Sequence, residues 1–383
     1  MFTKRTNWNT RPNAIAKKVA EIRASGASVL DLTETNPTRC GFTFYRQDLL
    51  QSLTQDEALV YDPDPRGLVQ TREAIAAYYT RGGHTIDPEH LFVTAGTSEA
   101  YGHLFRLLLE PGECILVPTP SYPLLEFLAD IHDVRLKPYP LHYDDRWWPD
   151  LDALRDAIDD ACRAIVAIHP NNPTGSYLDS RELEELGAIA AASDLALIVD
   201  EVFFDYPMDD DAKARSVANG EALTFTLNGI SKTLGLPQMK LSWMVASGPD
   251  ELVEAACDRL EVIADTALSV STPIQLAACD WLSRASHFSA EILERVRSNY
   301  ACLSTCAGLD ALSVEGGWSA ILRIPRTCPE EQFVLDLLEQ DHILVDPGSF
   351  YGFASEGYVV VSLLPEPGVF QDGIRRLAAR HQV

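Results

Sequence analysis

The chain alternates short apolar runs with longer stretches whose apolar positions recur every three or four residues, the spacing of one helix face. Residues 14–24 have that helical spacing and lead into an extended run, Val29–Leu32. A polar, turn-rich stretch, ETNPTRCGF, follows. From residue 69 the alternation becomes regular. Helical patterns cover 70–80, 98–109, 122–129, 151–159 and 180–192, and apolar strands fall at 91–94, 114–117, 134–137, 163–168 and LALIVD, 195–200. Pro118 is expected to end the strand before it. Two more apolar runs lie near 222–227 and 241–246.

Short apolar strands between helices predict a mostly parallel sheet covered on both faces. Ligands of such sheets sit beyond the carboxyl ends of the strands. Around residue 280 the pattern changes. Long helical segments span about 275–306, then come strands near 312–315 and 318–324, a helix at 330–339, the run GYVVVSLLP and a last helix at 368–380. The division predicted is an amino-terminal arm with part of a small domain at 1–48, a large domain at 49–275 and a small α+β domain at 276–383.

Composition narrows the classes. The 383 residues are 46% hydrophobic, enough for a large core, and the net charge is -25. That charge repels nucleic acid and an anionic bilayer, so neither is expected as a partner. Eight cysteines are scattered without a CxxC pair; Cys302 and Cys306 have the spacing of one helix face. With no histidine cluster nearby they read as small buried thiols in a reduced compartment, and no metal is expected. The opening MFTKRTNWNTRPN has no apolar leader segment and no apolar run reaches transmembrane length. A cytoplasmic enzyme is the expectation.

Four segments carry candidate chemistry. In TAGTSEAYG, Thr94–Gly102, a strand passes into a helix whose first N–H groups suit a phosphate, with Gly96 allowing close approach and Thr97 or Ser98 adding a hydroxyl; a serine or threonine N-cap is also a common structural device. In HPNNPTG, 169–175, the asparagines either reach a ligand oxygen or cap their own turn, and His169 is either a base or, the preferred reading, a satisfied strand-end histidine. Asp200 closes LALIVD, where a carboxylate is costly unless paired; by alternation Glu201 faces a helix or solvent. Lys232, one of seven lysines, sits in TLNGISKTLG. A lysine in a dry pocket loses its proton more easily and then forms a Schiff base with an aldehyde; a loop lysine at the surface is the plain alternative. The set is stronger than its members. A phosphate cradle, a pocket asparagine, a strand-end aspartate and a sequestered lysine, in that order, meet what pyridoxal 5'-phosphate (PLP) demands.

On GTSEA, SYP, NNPTG, DEVF and SKTLGLPQMKLSW, the chain from about residue 28 onward resembles the fold-type I PLP-dependent aminotransferases of class I and II, the aspartate aminotransferase superfamily. The resemblance implies an α/β fold with a mostly parallel seven-stranded sheet in a large domain beside a smaller α+β domain. It makes Lys232 the Schiff-base lysine and proton carrier, and Asp200 the partner of the cofactor's ring nitrogen. Asn172 donates to the 3-oxygen and Tyr122 stacks on the ring. Gly96 and Thr97 hold the phosphate, Ala95 through its backbone alone. Tyr61 reaches the phosphate of a neighbouring subunit's cofactor, which implies a homodimer with shared sites. Asn36 lies in a loop expected to touch substrate.

Four departures from the family pattern bear on function. Phe203 stands where a tyrosine usually bonds the 3-oxygen, so the Schiff base should keep its proton to higher pH. Gly229 replaces the usual hydroxyl residue three before the lysine, a loss that Ser231 is expected to offset. Lys240 replaces an arginine that grips the phosphate, keeping the charge without the fork. Val360 falls where an arginine usually clamps the substrate α-carboxylate. Either another basic residue, Arg323 or Arg39, takes that role, or the substrate has no carboxylate there, as in an amine or a modified amino acid. The first is preferred, because a free carboxylate facing a dry pocket without a cation is costly. The aromatic residues Trp8, Trp243, Trp318, Phe350 and Tyr351 stay open between pocket wall and core. The expected activity is amino transfer from an amino acid or amine to a keto acid or aldehyde. The alternatives are a PLP-dependent lyase, decarboxylase or cyclase, and, last, a non-catalytic PLP-binding protein.

Overall fold

The computed structural model describes residues 1–42, 46–211, 213, 215–216 and 220–381. Its strands are β1 (Leu30–Asp31), β2 (Leu91–Thr94), β3 (Cys114–Thr119), β4 (Arg135–Asp144), β5 (Arg146–Pro149), β6 (Cys162–Ile168), β7 (Ala196–Asp200), β8 (Thr224–Gly229), β9 (Ser242–Ser247), β10 (Asp310–Ala311), β11 (Ser319–Arg323), β12 (Ile343–Leu344), β13 (Asp346–Pro347) and β14 (Tyr358–Ser362). Eight of them form one sheet in the order β2-β9-β8-β7-β6-β3-β4-β5. The run from β4 through β3, β6 and β7 to β8 is parallel; β9 is antiparallel to both its neighbours, and β5 folds back antiparallel on β4.

The sheet thus has eight strands, not seven. The extra one is β5, which leaves β4 through Asp145, a residue in the left-handed region at φ 58°. The hairpin is hard to read because β4 is an outer strand, half exposed along most of its length and carrying Pro138 and Pro140. Pro118 does not end β3 either; the strand runs on to Thr119. Beyond Leu116 β3 pairs only with β4, so a proline that lacks an N–H is tolerated there. No strand forms at 312–315, where only Asp310–Ala311 pairs with β11, and the helical stretch expected at 275–306 is two helices, Thr272–Ser283 and Ala285–Ser304.

Alternate residues of each central strand enter different cores. Ile115, Val166 and Ile198 pack on one face with Leu104, Phe105 and Leu260, while Leu116, Ile165 and Leu197 pack on the other with Leu186 and Ile189. Helices Thr97–Leu108 and Asp250–Ala267 therefore cover one side and Ser180–Ala192 the other. Both faces are dry, which is why these strands read as unbroken apolar runs. The carboxyl-terminal part adds the sheet β10-β11-β14-β13, and β1 pairs parallel with β12, tying the first residues to the last. Among the described residues no helix is long and apolar enough to cross a membrane.

Candidate active site

The carboxyl ends of β6, β7 and β8 open into a cavity of about 390 Å³. Every residue of β8 is buried, up to Gly229, and the chain turns at once into the short helix Ile230–Thr233. That turn delivers Lys232 to the cavity wall. Its backbone is pinned by the Tyr206 hydroxyl, which donates to the Lys232 carbonyl at 2.5 Å. Its amine lies 4.9 Å from the Trp318 ring centre and 5.3 Å from that of Phe203. Burial favours the neutral amine and brings the Lys232 pKa down to about 8, with Asp200 opposing.

Asp200 ends β7 and lines the same cavity. Burial raises its pKa to about 6, against hydrogen bonds from the Val202 N–H at 3.1 Å and the Tyr101 hydroxyl at 3.3 Å. Glu201 does not face solvent; Arg215 links it to Tyr78 of the helix Val69–Arg81. Glu201 is fully buried, with Arg215 donating to it at 2.9 Å and the Ser216 N–H at 2.7 Å.

The amino end of helix Thr97–Leu108 supplies Thr97 and Ser98 to the cavity. Gly96 is extended at φ 175°, so its backbone angle needs no glycine; a Cβ there would lie 3.2 Å from the Lys240 Nζ, which faces this helix start. Ala95 corrects an expectation. Its N–H donates to the Glu99 carboxylate at 2.6 Å and is not left for a ligand. Gly229 and Ser242 are paired across β8 and β9, and a Cβ on Gly229 would lie 2.1 Å from the Ser242 Oγ. Ser242 thus occupies the space of a side chain at 229 and returns a hydroxyl to the cavity, beside Ser231.

Asn172 lines the cavity, its Oδ1 accepting from Ser319 at 3.3 Å while its amide NH2 stays available. Asn171 is locked instead, donating to the Pro120 carbonyl at 3.1 Å and Thr174 at 2.9 Å. His169 is buried, its Nδ1 accepting from the Leu178 N–H at 2.9 Å. Tyr122 stands in the cavity wall and is 47% exposed.

Other expected residues lie outside. Tyr61 is 73% exposed and lines no part of its own subunit's cavity. Asn36 is spent on its turn, accepting from the Thr38 N–H at 3.1 Å and hydroxyl at 2.7 Å; Thr33 and Thr35 of the same stretch line the cavity in its place. Arg323 is exposed and pairs with Asp310 at 3.3 Å, with its guanidinium 5.3 Å from the Tyr143 ring centre. Arg39, also exposed, is 3.9 Å from Glu34. Neither reaches the cavity, so neither replaces the missing arginine. Val360 packs with Trp147, Leu312 and Ile321. Of the aromatic residues, Trp318 and Tyr351 line the cavity, Phe350 borders a neighbouring surface hollow, Trp243 is core, and Trp8 packs on Phe127 at 5.4 Å.

Sequence reasoning missed Tyr101, Ser242, Ser319 and Asp346. Tyr101 had a signal, since it lies four residues after Thr97 and so on the same helix face. The other three depend on strand register, which spacing does not report. All eight cysteines are free thiols. Cys114 and Cys162 approach to 3.3 Å between sulfurs at the amino ends of β3 and β6, away from this cavity, with Asp159 nearby but bonded to Lys137 at 2.7 Å.

A lysine, a strand-end carboxyl and a helix amino terminus around one cavity suit an α/β enzyme that works on a carbonyl group through an amine. Comparison with known proteins agrees. The family model for aminotransferase class I and II matches residues 31–367. The glutamate-pyruvate aminotransferase AlaA of Escherichia coli is 28% identical over 364 residues, covering 92% of this chain and 90% of that one. The alanine aminotransferase of Mycobacterium bovis is 27% identical over 389 residues, covering 95% and 88%. Among solved structures, an alanine aminotransferase from Pyrococcus furiosus superposes with a TM-score of 0.89 at 26% identity over the whole of both chains. The chain belongs to the class I and II aminotransferase family. It is an enzyme of amino transfer, and members of its family use PLP.

Proposed function

We propose that this chain binds PLP at Lys232 and passes an amino group from a small amine or amino acid to a keto acid or aldehyde. The observation that carries this reading is the pairing of Lys232, brought down to about 8, with Asp200 in one cavity. The donor set suits the cofactor. An amine stands ready for its aldehyde, a carboxyl for its ring nitrogen, and the Thr97 helix start with Lys240, Ser231 and Ser242 for its phosphate. Trp318 lines the cavity wall with its ring centre 4.9 Å from the Lys232 amine. With Phe203 in place of a tyrosine, the Asn172 amide is the donor left for the 3-oxygen.

When bound, PLP supplies an aldehyde that takes up the amino group and a ring that spreads the charge left on the donor's carbon. The chain does the rest. Asp200, its carboxylate fixed by Tyr101 and the Val202 N–H, would hold a proton on the ring nitrogen. The Lys232 Nζ, shifted by burial toward the neutral amine, would take the proton from the donor's reacting carbon. The rings of Phe203 and Trp318 flank that amine at 5.3 and 4.9 Å.

The same reading extends to a homodimer. Tyr61 follows Leu59 and Val60 in an exposed apolar run, and Val60 and Val69 line one surface hollow, features suited to a second copy of the chain. Tyr61 would then complete the partner's site.

The test is an absorbance titration of PLP-loaded protein with amino acids and simple amines. Conversion of the bound cofactor to its pyridoxamine form, reversed by a keto acid, is expected. Lys232→Ala should abolish covalent capture of PLP; a normal protein-bound spectrum in that variant would refute the assignment.

A further inference from the structure

The cavity wall has an unexpected charge balance. Among its described lining residues Lys232 is the one cation, while Asp200 and Asp346 are both carboxyls. Asp200 is accounted for by the cofactor's ring nitrogen. Asp346 has no such role. It lies in β13 directly opposite Val360 of β14, and residues opposite one another in an antiparallel pair project from the same face. The place of the expected carboxylate clamp is therefore apolar, and its neighbour on that face is an acid.

The surroundings of Asp346 sharpen the point. One of its oxygens accepts from the Tyr351 hydroxyl at 3.1 Å, and no described cation pairs with it. Its charged neighbour is Asp31, of like sign. Arg323 and Arg39 are engaged elsewhere. A substrate carboxylate brought here would meet a negative wall with nothing to neutralise it. An ammonium would meet a half-buried carboxyl with an open oxygen, beside the aromatic rings of Trp318 and Tyr351.

We propose that Asp346 selects the amino donor and that this donor is a diamine, one amino group reacting at the Lys232 end while the second, protonated, pairs with Asp346. The inference rests on the amino-transfer reading above. The donor's reacting carbon carries hydrogen where an α-amino acid carries its carboxylate. Its C–N bond is broken and a C=O bond formed with oxygen from water, so the carbon is oxidised to an aldehyde. The acceptor, an aldehyde without a carboxylate beside its reacting carbon, is reduced in turn. Its C=O gives way to C–N and the oxygen leaves as water, so no outside oxidant is needed.

The experiment uses PLP-loaded protein and follows the cofactor's spectrum. Putrescine and cadaverine are compared with butylamine and pentylamine, and with alanine and glutamate. The expected result is a dissociation constant at least about tenfold lower for a diamine than for the monoamine of the same length. Asp346→Asn should remove that gap. Equal affinity for diamines and monoamines in the wild type overturns the inference without recourse to the variant. Preferred conversion by alanine or glutamate, unaffected by Asp346→Asn, overturns it while leaving amino transfer intact. No conversion by any of these compounds overturns both.

Discussion

At the scale of single residues, the lysine explains its own setting. Lys232 stands in the cavity wall beside Phe203 and Trp318, and its pKa falls to about 8 because burial penalises the ammonium more than Asp200 stabilises it. Only the neutral amine attacks an aldehyde. The rate at which cofactor-free protein captures PLP should therefore rise with pH and level off above about 8, whereas an ordinary lysine would keep gaining up to pH ~10. Stopped-flow absorbance across that range checks it. Asp200 works in the opposite sense. Burial raises its pKa to about 6, so the empty site favours the protonated acid, and the cofactor-free fold loses stability as pH rises from the ordinary carboxylate range through about 6. Much of this was legible in the sequence. Lys232, Asp200, Asn172 and Tyr122 each follow a strand end or a turn, and all four reach one cavity. Asn36, Arg323 and Arg39 do not, because a side chain's own capping bond or ion pair is invisible to spacing.

Between elements, register decides what spacing cannot. β8 and β9 are antiparallel neighbours, which places Gly229 against Ser242. Taken alone, Gly229 reads as a lost hydroxyl; across the ladder the hydroxyl has moved to the next strand. Ser242→Ala should weaken PLP binding about tenfold, the worth of one hydrogen bond to a charged group. Gly229→Ser alone should do at least as much harm, since its Cβ would lie 2.1 Å from the Ser242 Oγ. The double change, Gly229→Ser with Ser242→Gly, should restore affinity. Fluorescence titration of the cofactor-free variants measures all three, and a double variant no better than Gly229→Ser would refute the exchange. Register also hid β5. A half-exposed outer strand with two prolines gives no clear alternation, so the hairpin beyond it went unread. The central strands were easy for the converse reason: buried on both faces, they are apolar at every position.

For the whole molecule, association is the open surface question. The exposed run Leu59–Tyr61, with Val69 and Leu268, is too apolar to face water without reason. Light scattering should give twice the chain mass of 42.3 kDa. Leu59→Asp combined with Val60→Asp should move the protein toward a single chain and weaken PLP binding with it, if Tyr61 serves the partner's site. Both positions are exposed in the single chain, so folding itself should survive. The ends of the large sheet bear on how far such association can go. β5 is only four residues long and closes with Pro149; at the opposite border β2 is as short, and its Val93 N–H is taken by the Arg66 carbonyl at 2.9 Å. Neither border offers a long row of unpaired backbone groups to a passing chain. If copies of this protein pair through the Leu59 surface as proposed, the short borders of the large sheet still give no template for open-ended growth, and fibres built on that sheet would have to begin from chains that have already lost their fold.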